Sequence, residues 1–150
     1  MKHILIIVLA VAVGFSAYSQ DGSGIFLAVQ CVKKSEKHVV ALSGKQVCIA
    51  PNPMIPVSDF TSISELEEQG DKIWFDLTVS QKALQTLMRI SSSLPNSTFA
   101  FVVDKDVFST FAANDLMAGR TFRFQGTGKH KLIFGVTQKK IKHLLQTQTQ

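Results

Sequence analysis

Between residues 72 and 145 the apolar and polar positions change period several times, and each change marks an element. From Ile73 to Thr78 they alternate strictly, Ile73, Phe75 and Leu77 on one face and Trp74, Asp76 and Thr78 on the other, which predicts a strand with one buried face. Ser80 follows as an N-cap residue type, with Val79 and Leu84 placed as a hydrophobic staple. Ala83, Leu84, Leu87, Met88 and Leu94 then recur at helical spacing up to the stop at Pro95-Asn96. Thr98 to Val103 and Val107 to Phe111 read as two strands of a hairpin turned by Asp104-Lys105-Asp106, and Ala112 to Arg120 as a loop or short helical turn. Thr121 to Gln125 alternate again with Phe122 and Phe124 on one face, Gly126-Thr127-Gly128 breaks that strand, and Leu132 to Phe134 predict another. Thr137 caps a last helix that buries Ile141, Leu144 and Leu145, before a polar tail at residues 146–150 that is expected to be disordered.

Upstream the pattern is less regular. Ile25 to Val32 (IFLAVQCV) is apolar on both parities, which predicts a strand buried on much of both faces. After the polar KKSEK, His38 to Leu42 and Lys45 to Ala50 read as short strands around Ser43-Gly44. Pro51, Pro53 and Pro56 impose an extended connector, because each ring fixes its own φ and keeps the preceding residue out of the α region. Ser58 or Asp59 can cap one or two helical turns through Phe60 and Ile63, and Glu65, Glu67 and Glu68 form an acidic surface patch.

The N-terminus changes the picture of where this domain works. Lys2 and His3 precede an apolar run from Ile4 to Val13 and small residues through Ser19, the plan of a secretory signal peptide over residues 1–19. The run is too short for a membrane span, which needs roughly 20 apolar residues, so the mature chain is expected to carry no transmembrane helix and to be exported, periplasmic or extracellular. Residues 20–24 then read as a flexible leader and residues 25–145 as one domain. Export also puts Cys31 and Cys48 where a disulfide persists. They flank one polar excursion, and form either a cross-strand bridge or two buried thiols acting as small apolar residues.

Four stretches, taken in order, resemble the first periplasmic (head) domain of the SecD protein-export family. They are the proline-rich Pro53 to Ile63 (PMIPVSDFTSI); Phe75-Asp76-Leu77 before the capped helix from Thr78 to Met88; the hairpin Val103-Asp104-Lys105-Asp106-Val107; and Gly126 to Leu145 with Phe134-Gly135-Val136-Thr137. Order and spacing carry the resemblance, which covers residues 45 to 145, and Asp106 departs from it where the family favours glycine or a small polar residue. The resemblance implies a free-standing relative of the head domain: α+β, an antiparallel sheet with two main helices packed on one face. It also implies a role near unfolded or exported polypeptides without the family's membrane channel.

Residue chemistry points to binding rather than catalysis. His38, His130 and His143 have no ligand spacing with acidic partners, so no metal or other cofactor is expected. Asp104 and Asp106 are explained by turn chemistry, no nucleophile elbow is present, and Gly126-Thr127-Gly128-Lys129 lacks the phosphate-loop pattern. The formal net charge of +5 owes much to Arg120, Arg123, Lys129, Lys131, Lys139, Lys140 and Lys142, which read as a solvated basic face. Phe122-Arg123-Phe124 has the composition of a nucleic-acid platform, but export and the shared parity of the phenylalanines favour core, so no nucleic-acid partner is expected. Trp74, on the parity opposite the core residues of its strand, is either covered by a helix or loop or belongs to a partner surface. The expectation is a non-enzymatic exported module that binds a protein or peptide, with a structural subunit of an envelope assembly or a small secreted enzyme as the rivals.

Overall fold

A computed structural model describes residues 22–113, 115 and 119–149; the expected signal peptide lies outside the described residues. The chain is α+β, and the strand pairs among the described residues are all antiparallel. Among the described residues ten strands form two sheets where the sequence led us to expect one. The first sheet runs β2 (His38–Val39), β3 (Gln46–Ile49), β1 (Gly24–Val29), β8 (Thr98–Val103), β9 (Asp106–Ala112), with β4 (Ile55–Pro56) beside β3 along β1. The second runs β10 (Thr121–Thr127), β7 (Lys72–Val79), β5 (Phe60–Ile63), with β6 (Glu67–Gln69) also on β7. The helices are α1 (Gln81–Ser93) and α2 (Lys131–Gln148).

One core holds the two sheets and both helices together. Phe75 from β7 meets Phe108 of β9, Phe124 of β10 and Phe134 of α2 with ring centroids 5.7, 5.4 and 5.6 Å apart, and Phe101 of β8 stacks on Phe124 at 4.6 Å. The alternation read in β7 is the reason: Ile73, Phe75, Leu77 and Val79 are all buried, while Trp74, Asp76 and Thr78 turn outward. Helix α1 follows directly, its start fixed by the Ser80 Oγ, which accepts a hydrogen bond from the Ala83 N–H at 3.1 Å, and it sends Ala83 and Leu87 inward.

The first sheet is apolar on both faces. Ile25, Phe99 and Phe101 look into the main core, whereas Phe26, Ala100 and Val102 form a second, smaller cluster with Val40, Val107, Val47 and Ile49. That cluster exists because the sheet curls: beyond β2 the Ala41 and Leu42 N–H groups donate to the carbonyls of Val107 and Phe108 on β9 at 2.9 and 3.3 Å. A bulge in β9 serves both clusters. Pairing shifts between Phe101 and Val102, so Phe108 and Ser109 together oppose Phe101, and Phe108 enters the main core while Val107 pairs with Val102 over the smaller one.

Several local expectations are corrected. Val57–Asp59 form a single 3-10 turn and Phe60–Ile63 are strand, because pairing with β7 satisfies their backbone where a short helix would leave it open. The acidic Glu67 and Glu68 likewise lie in a strand, β6, turned onto β7 through Gly70 at φ +61°. Leu132 to Phe134 are helix, since Thr127 and His130 build a capping box ahead of them and Phe134, Thr137, Gln138 and Ile141 share one buried face. Thr137 is therefore an interior residue of α2, and Gln146–Gln148, expected in the tail, continue the helix. Finally, Gly22 and Ser23 are no free leader: the Asp104 N–H donates to the Ser23 Oγ at 2.8 Å and the Lys105 N–H to the Gly22 carbonyl at 3.1 Å.

If Phe75 joins the sheets as described, Phe75→Ala should cost about 3–5 kcal/mol of unfolding free energy. Met88→Ala on the exposed side of α1 should stay within about 0.5 kcal/mol by urea denaturation.

Candidate functional site

The curled sheet does not close at one end, and its mouth is a groove of about 760 Å³. Phe26 of β1 and Val102 of β8 line it, on the strand parity that turns away from the main core, together with Ile49 of β3. One rim is the proline connector. Hydrogen bonds from the Ala50 N–H to the Leu27 carbonyl (2.9 Å) and from the Met54 N–H to the Ile25 carbonyl (2.8 Å) pin both sides of residues 51–53, so the chain between them stands out and presents Pro51 and Pro53. Gly24, at φ +145°, lets this rim approach, because a Cβ there would strike the Ile55 carbonyl oxygen. Leu144, Thr147 and Gln148 at the end of α2 supply another wall.

The remaining wall comes from the excursion between the cysteines. Cys31 and Cys48 form a disulfide with Cα atoms 5.3 Å apart, at the register where Val29 of β1 pairs with Cys48. The 17-residue separation is worth roughly 3 kcal/mol by chain entropy. From the segment it closes, Ser35, Glu36 and His38 line the groove, and Lys105 from the β8–β9 turn lines it as well. Among the described residues neither Glu36 nor Lys105 is in an ion pair, so both charges are free to meet an occupant. The groove therefore offers an apolar floor and proline rim with one acid, one base and one imidazole at its margins.

Trp74 lies elsewhere, on the outer face of the second sheet. It is half-buried, and the Arg123 guanidinium sits 5.4 Å from its ring centroid while making two 2.8 Å hydrogen bonds to the Asp76 carboxylate. Those bonds hold the Asp76 carboxyl below its ordinary value, against a smaller opposing effect of burial. The Trp74 Nε1 is buried without a hydrogen-bond partner among the described residues. Asp104 pairs with Lys140 at 3.1 Å, and His130 caps the turn into α2, so Asp76, Asp104 and His130 occupy three separate settings and none lines the groove. Among the described residues no cluster of three or more His, Cys, Asp or Glu side chains is placed to hold a metal.

Much of the basic C-terminal half is engaged internally. Lys131 pairs with Glu68 at 2.8 Å, Lys140 with Asp104, Lys142 with Glu65, and Arg123 with Asp76. The Lys142 hydrogen bond also draws the Glu65 carboxyl below its usual value. Phe124 is core and Phe122 packs on Phe111 at 6.0 Å, so neither forms an open stacking platform. No described helix is long and apolar enough to cross a membrane.

Sequence reasoning passed over the groove. Its signals were the two-faced apolarity of Ile25 to Val32, which called for a second covering layer, and the three prolines, read as a connector although they make a rim.

Two predictions follow from the sheet face. Trp74→Phe removes an unsatisfied donor along with some packing and should remain within about 1 kcal/mol of the parent in urea denaturation, well short of the loss from truncating a core aromatic. Because the folded Asp76 value lies below the unfolded one, its contribution is present above the ordinary carboxylate range and disappears as pH falls through the lowered value. Asp76→Asn should therefore flatten the acid limb of the stability profile, and an unchanged limb would exclude this pair as a source of acid sensitivity.

Comparison of the chain with protein-family models, curated proteins and solved structures returned no match.

Proposed function

We propose that this chain is an exported, non-enzymatic binding module that takes a segment of an unfolded or extended polypeptide into the groove at the mouth of the curled sheet. The observation that carries the reading is the groove itself: its volume of about 760 Å³ falls in the range of ligand sites, and it combines a floor of Phe26, Ile49 and Val102 with a few convergent polar groups. Proline-rimmed apolar floors suit extended chains, whose side chains find pockets while their backbone stays hydrated or meets Ser35, Ser58 and Thr147 at the margin. The unpaired Glu36 and Lys105 would favour a segment carrying both signs of charge over a uniformly acidic or basic one. The signal-like N-terminus and the motif order that resembles the SecD head domain support the exported setting and the polypeptide class of ligand.

A photo-crosslinking residue at the exposed, groove-lining Ser58 should capture an unfolded, cysteine-free test polypeptide, while the same residue at the exposed Gln85 on α1 should not. Equal capture at both positions, or none at Ser58, would contradict the assignment.

A further inference from the structure

The disulfide is placed as a fastener for one wall of the groove, and only for that wall. The ladder between β1 and β3 ends at Val29, and β2 does not begin until His38. Between them the described backbone makes one hydrogen bond, from the Ser35 N–H to the Val32 carbonyl at 2.9 Å, and the Ser35 Oγ accepts from the Val32 N–H at 3.1 Å; both lie inside the segment. Cys31 thus supplies the tie between this segment and the sheet. The rest of the fold has independent support: the main core contains no residue between 28 and 41, and β7, β8 and β10 are held by full ladders and the phenylalanine cluster.

The two sulfurs are also unequal in access. Cys31 is exposed, whereas Cys48 is 1% exposed and sits in β3. An external thiolate can approach the Cys31 side of the bond, which gives thiol–disulfide exchange a defined direction.

We infer that the Cys31–Cys48 disulfide is a redox gate for the groove: oxidised, it holds residues 32–37 as a wall, and reduced, it releases them while the two-sheet core stays folded. The reductant is a dithiol. Its thiolate attacks the Cys31 Sγ, the S–S bond breaks, and Cys48 leaves as a thiolate that takes up a proton. The second thiol of the reductant, losing its proton, then attacks the mixed disulfide and frees Cys31 as a thiolate that is protonated in turn. Two electrons pass from the dithiol to the protein, and the dithiol ends as a cyclic disulfide. The gate rests on the polypeptide-binding reading only for its consequence, a loss of affinity on reduction; the release of the wall stands on its own geometry.

The two parts are separated by one paired experiment on the full mature chain, comparing the oxidised protein, the protein reduced with dithiothreitol, and a Cys31→Ser/Cys48→Ser variant. Hydrogen exchange should rise about tenfold or more at the Val32 and Ser35 amides, which carry the hydrogen bonds within the segment, in the second and third forms, while amides of β7 and β8 keep their protection. Affinity for the unfolded, cysteine-free test polypeptide should fall by about tenfold in the same two forms. Unchanged exchange at Val32 and Ser35 overturns the gate, as does a loss of protection that spreads to β7 and β8, which would make the bond a general staple. Unchanged, measurable affinity across all three forms overturns it as well. A localised rise in exchange with no binding in any form supports the gate and refutes the polypeptide reading.

Discussion

The packing of Phe75 against Phe108, Phe124 and Phe134 is the contact on which the rest of the architecture depends, because it is where both sheets and α2 meet. Two small twisted sheets have little reason to stay together unless their facing sides bury a continuous apolar surface, and here aromatic rings supply that surface from four separate elements. The close approach has a steric condition. A Cβ at Gly126 would lie 2.6 Å from the Phe134 Cε2, so β10 and the ring of α2 can share this space only because position 126 carries no side chain.

That aromatic centre has a less obvious effect on the opposite side of the first sheet. With Ile25, Phe99 and Phe101 committed inward, the alternating residues Phe26, Ala100 and Val102 are forced to the other face, where water would meet an apolar strip. The chain answers by curling β2 and β3 over them and bonding Ala41 and Leu42 to β9. The cover is incomplete where the curl opens between the proline rim and the disulfide-bounded segment. The groove is thus a by-product of a sheet that is apolar on both sides and covered along only part of its length.

Legibility in the sequence followed the same physics. Strand β7 could be read almost to its ends because one of its faces is buried and the other wet, which leaves a strict alternation. Helix α1 was readable because Ser80, the staple and Pro95-Asn96 mark its limits by local chemistry. The start of α2 was not, since Leu132-Ile133-Phe134 looks like strand when the inward face that follows carries Thr137 and Gln138. Both polar side chains are buried, and the Gln138 Nε2 donates to the Ser64 carbonyl at 2.9 Å, so burial there is satisfied by a partner 74 positions away. Strand β5 was missed for a related reason, its identity being set by pairing to β7 rather than by its own four residues. For the groove, periodicity marked only the need for a cover over β1, because concavity arises from the curl between strands and not from the order of residues within one.

Helix α2 gives the two ends of the molecule a mechanical relation. At 18 residues it is a rod of about 27 Å, seated by Phe134 in the aromatic centre and clamped along its length by Lys131 to Glu68, Lys140 to Asp104 and Lys142 to Glu65. Its last turn is one jaw of the groove. That jaw is anchored at its base by the fit of Phe134 against Gly126, whereas the wall at residues 32–37 is tied to the sheet, between the ends of β1 and β2, through the Cys31–Cys48 bond. Were the groove occupied, as proposed, adjustment to the girth of the occupant would fall to the disulfide-tied side, as in a vice with one fixed plate and one sliding one.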